Sequence, residues 1–558
     1  MQYKVIGIKK SKKKYFLLIP TIPIIPFLSF FFYFLLFTQA PFVLLKSLFF
    51  DYTPKVNYES FKIYVDESVS ESVKESIKKG VEDIEFQGKK RFKFVEKEDS
   101  DFVLGVSSSE KDSIVSKELI PVGHIYWIDG DIVDLKEAEI LMEEQEYIFA
   151  NEYLSSSLGL KVRMVGSLSD ELQKSEENIG MVFPSNLRKE LKVLKYDDQF
   201  AINSEDGGIK MSYSLKGDDR VSFVYSILAK NIEGFEDDVL EREKVVKINM
   251  TGVTAMSRGL AMKMDSTRDN AYAARRIGEF LADADLTHTS NEVSFIDGCV
   301  ASSGMRFCSK PEYIETLKKS GIDIVELTGN HNNDFGSTHN TKSIEMYKEL
   351  GWDYFGGGLN TQDASKILYK EIKGSRIAFI GYNYFDTMLN TKALASDNRA
   401  GANSYSVEKL ERDVKEAKEN ADVVIVTFQF QECYSYPPSD VIYPICYKPL
   451  SSPNQKGVFR RAVDFGADVV VGTQAHQPQT YEIYKGGVIF YGLGNLYFDQ
   501  HRWIGTRQGL VLSLYILEGK LVQTELTPTI YDRDLIPRIA EKENANLLLN
   551  LLKSARNF

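Results

Sequence analysis

The chain has 558 residues, 43% hydrophobic and 26% charged, with 38 glycines and 16 prolines; it is too long for one core, too apolar for a disordered chain and too poor in Gly and Pro for a collagen-like one. Its net charge is −11, but Lys4, Lys9, Lys10, Lys12, Lys13 and Lys14 put +6 into the first 14 residues and leave −17 on the rest. An acidic body excludes nucleic acid as the expected partner, because a phosphate backbone is held by clustered Lys and Arg.

After the basic tip (1–14), residues 15–45 contain no charged side chain. A helix needs about 20 apolar residues to cross a bilayer core of about 30 Å, and residues 26–40 with the Ile-rich turn before them supply that length. The run is longer than the apolar core of a signal peptide, and Thr38-Gln39-Ala40-Pro41 is a poor cleavage site. An uncleaved, single-pass N-terminal transmembrane anchor is predicted, with the lysines cytoplasmic and the bulk of the chain extracytoplasmic at the cell membrane. The competing reading is a buried helix of a soluble protein.

From Phe61 the pattern alternates: a strand FKIYV, a helix over 68–84, then strands KRFKFVE and DFVLGVS. HIYWIDGDIVDLKEAEIL reads as strand, Asp-rich turn and helix; residues 179–184 read as a strand and 186–194 as a helix. Residues 60–240 are therefore expected to form an α/β domain. It resembles one lobe, or a compact version, of the solute-binding domains that bacteria place outside the membrane. An acidic stretch over 232–244 marks a boundary. Residues 245–530 alternate strand and helix as far as Val471, then run as consecutive strands with glycine turns, which predicts a two-sheet sandwich with helices outside. Residues 531–558 end in an amphipathic helix.

The four cysteines fall in two short loops, Cys299 with Cys308 and Cys433 with Cys446. Neither spacing is that of a zinc knuckle, so two local disulfides are the favoured reading, with a cross-link between the loops or four free thiols as alternatives. Tyr434, Tyr436 and Tyr443 among nearby prolines offer an aromatic rim for a polymer, or simple loop packing.

Five of the six histidines (His288, His331, His339, His476 and His501) lie in the second module, several where strands end. Ligands in α/β sheets gather beyond the carboxyl ends of strands. The densest cluster is Thr328-Gly329-Asn330-His331-Asn332-Asn333-Asp334-Phe335-Gly336. There an amide oxygen and an imidazole can face one metal or phosphate while Asp334 orients the ring of His331. Other strand ends give Ser290-Asn291-Glu292, Gln429-Phe430-Gln431-Glu432 and Gly472-Thr473-Gln474-Ala475-His476.

In that order these motifs resemble the ligand series of calcineurin-like metallophosphoesterases and, more closely, the CapA family of poly-gamma-glutamate capsule biosynthesis proteins. The resemblance includes the Asn-His-x-x-Asp-x-Gly turn at 330–336, Gly466-Ala467-Asp468, and the ending from Leu493 to Asp499. It implies a metallophosphoesterase-like αββα sandwich over 245–530, with Glu292, Asn330, His331 and His476 as metal ligands. It further implies His331, Asp334 and Glu432 as catalytic groups, and a cell-envelope polymer or its synthesis machinery as partner. The chain departs from the family pattern in three places. Val253 stands where the pattern has an acid, and Gln429 and Gln474 stand where it has histidines. One divalent ion (Mn, Zn or Fe) is then expected rather than two, since a two-metal centre needs a bridging carboxylate and more anionic or imidazole ligands. Alternatively Gln429 and Gln474, with Arg258 and more loosely Arg306 and Arg502, line a metal-free polar cleft for a sugar, peptide or carboxylate in a non-catalytic scaffold.

Overall fold

The computed structural model describes residues 60–558 apart from short stretches, chiefly 107–114, 127–134, 144–149, 233–236 and 434–441, and the last two residues. The predicted membrane anchor at 15–45 and the tyrosine rim (Tyr434, Tyr436, Tyr443) lie outside the described residues. Among the described residues no helix is long and apolar enough to cross a membrane. The chain divides into two compact units, residues 1–61 with 84–93, and residues 62–83 with 94–558. What is described of the smaller is a short antiparallel ribbon, Glu85–Phe86 against Lys89–Lys90.

The larger unit holds three main sheets. One runs in the order Phe61–Val65, Phe102–Val106, Ile209–Gly217, Val115–His124, Ile179–Val182, Glu139–Glu143, Lys161–Val165. Two segments expected to be helical are strands in it. Glu139–Glu143 pairs in parallel with Lys161–Val165 and Ile179–Val182, and Leu191–Val193 pairs antiparallel with Val122–His124. Ile140, Leu141 and Met142 are each buried to within 1%, so packing between neighbouring strands overrides the helical propensity of the Lys, Glu and Ala residues before them.

The other two sheets face each other. The first has the order Asp353–Phe355, Ile322–Glu326, Leu286–Asn291, Val246–Thr251, Gln508–Leu517, Lys520–Ile530, Arg538–Ile539. The second has the order Leu368–Ile372, Ser375–Asn383, Val423–Gln429, Val469–Gly472, Gly487–Leu493, Pro478–Tyr484. Alternation with period two sends Val246, Ile248, Ile377, Phe379, Ile425 and Val471 into one shared core. The opposite faces are covered by helices: Leu260, Met264, Leu317 and Ile344 lie against Val325 and Val511, and Leu410, Val414 and Phe459 against Val424 and Val426. The strands at the end of the sequence form two hairpins, one in each sheet, rather than one meander. Gly494, at φ +73, makes the change of sheet. A Cβ on Gly252 would stand 1.9 Å from its carbonyl oxygen, so the first glycine is required by close approach.

The described end of the polar stretch, from Leu240 on, is fixed to its surroundings. Arg242 pairs with the fully buried Glu118 and donates to the Ala201 carbonyl at 2.8 Å. Leu240, Val245, Tyr515 and Val522 share a cluster with Ile120, Leu191 and Val193. The C-terminal helix, Lys542–Ala555, packs Leu548 and Leu552 into the shared core. Both cysteine pairs are closed as local disulfides, Cys299 to Cys308 and Cys433 to Cys446.

His124 supplies a pH-sensitive element of this scaffold. It is 3% exposed, and its Nδ1 accepts the Tyr126 N–H at 3.2 Å, a bond that requires the neutral ring. Burial first, and then the Arg556 charge, lower its pKa to about 4. The unfolded ring binds a proton below about pH 6.5 while the folded ring does not, so the stability held by the neutral ring is complete above that pH and lost as pH falls towards 4. Denaturant unfolding should show wild type losing about 3 kcal/mol more than His124→Phe between pH 7.5 and 4. Parallel losses in the two proteins would contradict this.

Candidate functional site

Parallel strands in the two facing sheets deliver their carboxyl ends to one side, where the segments leaving them carry the candidate residues. Glu292 follows Leu286–Asn291, with its N–H donated to the Thr254 carbonyl at 3.0 Å. Asn330 and His331 occupy the turn after Ile322–Glu326. Gln429 ends its strand, and Gln474 and His476 follow Val469–Gly472. A Cβ on Gly329 would lie 2.6 Å from the Glu292 Cα, so glycine there lets two of these segments touch.

Both histidines are oriented through Nδ1. That of His331 meets Asp334 Oδ2 at 2.7 Å, and the same oxygen accepts the Phe307 N–H at 2.7 Å. That of His476 meets Asn495 Oδ1 at 2.8 Å, which requires a proton on Nδ1. Rings support them: Phe307 lies 4.1 Å from His331, and Phe498 stacks on His476 at 5.0 Å. An imidazole whose Nδ1 is engaged presents Nε2, the arrangement of a metal-ligating histidine. Nε2 of His476 is engaged by Glu432 at 2.8 Å. Gln429 donates to Gln474 Oε1, whose own amide reaches Glu432 at 3.5 Å.

Glu292 is 1% exposed, and neither of its oxygens has a hydrogen-bond partner; Asn330 Oδ1 and Gln429 Oε1 are orphaned in the same way. Burial raises the Glu292 carboxyl to about pH 7 against the pull of His476 and His331. Burial pulls His476 down, but Glu432, Glu292 and Asn495 together hold the ring near 9. A set of buried acceptors without donors suits a cation. Among the described residues no three His, Cys, Asp or Glu side chains stand grouped to hold a metal ion, Glu292, His331 and His476 included, so an ion here would have to draw on amide oxygens such as that of Asn330. Val253 is wholly buried between Ser290 and Asn495 and offers no ligand.

Arg258 lies apart from this set. Its guanidinium pairs with Asp499, at 2.8 Å from Nε to Oδ1, and sits between Phe307 and Phe498 at 4.9 and 4.7 Å. It braces the rings behind His331 and His476. Arg306 donates to the Asp334 carbonyl at 3.0 Å, and Arg502 lies over Trp503.

Sequence reasoning assigned no role to Glu326, which is fully buried beneath the site. Its Oε2 meets His288 Nε2 at 3.0 Å; its Oε1 accepts from Thr473 at 2.8 Å and from Thr328. The Thr251 N–H reaches His288 Nδ1 at 3.4 Å. One carboxylate thus ties together the strand before Glu292, the turn before Asn330 and the loop before Gln474, across both sheets. Its signal in the sequence is a charge at an inward position of the apolar strand Ile322–Glu326.

The family model described as bacterial capsule synthesis protein PGA_cap matches residues 247–500, a span that carries all of these residues except Arg502 and Trp503. Over residues 247–500 the chain is of the CapA family. It is similar to the capsule biosynthesis protein CapA of Bacillus anthracis, 27% identical over 292 residues, half of this chain and 67% of that one. The PGA biosynthesis protein CapA of Bacillus subtilis is 29% identical over 39% of this chain and 53% of its own. A probable polyglutamine synthesis accessory protein of Mycobacterium tuberculosis is 20% identical over 44% and 66%. The matches thus span about half to two thirds of these CapA relatives. Among solved structures, an ABC-type phosphate transport receptor from Vibrio cholerae is 12% identical over 30% of this chain and 93% of its own, with a TM-score of 0.21. At that score the likeness carries no argument.

Proposed function

We propose that this chain is a membrane-anchored, extracytoplasmic CapA-family protein acting in the synthesis of a capsule or cell-envelope polymer of the poly-gamma-glutamate type. Its facing sheets are taken as a metallophosphoesterase-like sandwich bearing a hydrolytic site for one divalent ion. The names of the relatives support the polymer, and the uncharged run at 15–45 supports the anchor. The observation that carries the hydrolytic reading is the orphaned, buried carboxylate of Glu292 beside Asn330, His331 and His476.

In this reading Glu292, Asn330, His331 and His476 hold the ion, which when bound would polarise a phosphoryl or acyl oxygen and acidify a water. Asp334 and Asn495 fix the imidazole planes. Glu432 accepts from His476 Nε2 at 2.8 Å and must release His476, which must also give up that proton, for the ring to act as a ligand. Protein purified without chelator should carry up to one Mn, Zn or Fe per chain and hydrolyse a generic phosphoester. Absence of metal, with none bound on titration, would end this reading.

A second reading is favoured by the amide chain from Gln429 through Gln474 to Glu432, in which polar groups satisfy one another without metal. The site would then be a polar cleft of a non-catalytic scaffold that binds the polymer. Saturable binding of a poly-gamma-glutamate fragment by metal-free protein would support it. Phosphoester turnover without such binding would reject it.

A further inference from the structure

A cavity of about 250 Å³, with none of the candidate site residues in its lining, runs along the strand Lys520–Ile530. Lys192, Lys195 and Phe200 form one wall, and Tyr481, Phe490 and Leu549 another. Two lining side chains keep an unpartnered polar atom, Nε2 of Gln523 at 0% exposure and Oγ1 of Thr524 at 4%. Gln523 is held in place, because its Oε1 accepts the Val193 N–H at 2.9 Å. The amide hydrogens are therefore the end left without an acceptor.

The backbone beside them is also open. The neighbouring strand Arg538–Ile539 pairs only with Thr529 and Ile530, and the Ala540 N–H then reaches the Pro528 carbonyl at 2.9 Å. In an antiparallel strand the N–H and C=O of one residue point to the same side, and alternate residues share that side. Thr524 and Leu526 thus turn both groups to the edge that Pro528 faces, where no described strand pairs with them.

We propose that this cavity binds an extended peptide segment, which adds as a strand beside Thr524–Leu526. Main-chain bonds to the open edge supply affinity, and alternate side chains supply specificity. Apolar side chains of the guest lie on Tyr481, Phe490 and Leu549; those of the opposite face meet the unpartnered amide hydrogens of Gln523, so the matching guest alternates apolar and acidic residues. The inference is independent of the metal site.

Calorimetric titration of the protein with acetyl-Val-Glu-Val-Glu-amide tests it, with the same peptide N-methylated at its backbone and with hexanoate as comparators. Saturable binding of one peptide per chain is expected, lost on N-methylation and weakened about 2- to 12-fold by Thr524→Val and by Gln523→Met. Thr524→Val is close to isosteric and serves if Gln523→Met, which also frees the Val193 N–H, does not fold. The proposal is overturned if the peptide does not bind, if N-methylation leaves binding unchanged, if hexanoate alone saturates the cavity, or if the folded variants bind as wild type does.

Discussion

Glu292→Gln should abolish stoichiometric metal retention and, in the same protein, raise metal-free stability at alkaline pH. Removing a direct carboxylate ligand is expected to cost metal affinity at least the 10- to 100-fold that loss of an outer-shell partner costs. The stability effect has the opposite sign. The folded carboxyl titrates near pH 7 and the unfolded one near 4.5, so the folded state pays a penalty that grows as pH rises from 4.5 through 7 and is complete above it. An amide escapes this penalty, and the metal-free variant should exceed wild type by about 3 kcal/mol at pH 8 while matching it near pH 4.5. Denaturant unfolding in chelator at the two pH values measures the second effect, and metal analysis of untreated protein the first. A site that stores instability for the sake of a ligand shows both effects together. A variant that loses metal without the alkaline gain would mean Glu292 is satisfied by something other than a cation.

Loss of the Glu326 carboxylate is expected to be the most damaging single change in the second module. Glu326→Leu leaves His288, Thr328 and Thr473 as buried groups without their acceptor, and each buried donor left unsatisfied costs about 1–3 kcal/mol. His288→Leu added to it should recover part of the loss, since replacing both partners by apolar groups is often close to neutral. A double-mutant cycle by denaturant unfolding should give a coupling above about 1 kcal/mol. The same variant should also weaken metal binding, because the turn before Asn330 and the loop before Gln474 lose the group that holds them together. Additive single effects would show that the bond from His288 to Glu326 is incidental.

Much of the site was legible because its chemistry is local in sequence. The turn from Asn330 to Asp334 places the imidazole and its orienting acid three residues apart, and the ends of parallel strands are marked by the switch from Val and Ile to polar residues. The two local disulfides were legible for the same reason. What escaped is what depends on partners far along the chain. Asn495 stands in the ending from Leu493 to Asp499, but nothing there tells that it fixes His476, and Glu326 drew no role; only sheet packing shows that both are buried. That Asp499 meets Arg258 is likewise not visible in the sequence. The helices expected at the end of HIYWIDGDIVDLKEAEIL and over 186–194 gave way to the strands Glu139–Glu143 and Leu191–Val193, where propensity and packing disagreed and packing prevailed.

The bond between Arg258 and Asp499 joins residues 241 positions apart. It bears on the order in which the molecule is made. A chain leaving the ribosome at roughly 5–20 residues per second exposes Arg258 for about 10 to 50 s before Asp499 exists. Through that interval Phe307 and His331 are present, but Phe498, the Asp499 anchor and the strands from Gln508 to Ile530 are not. The site is thus among the last parts of this protein to be completed. A truncation before residue 499 would strand an arginine among aromatic rings rather than merely shorten a tail, which makes chains cut short there natural targets for quality control.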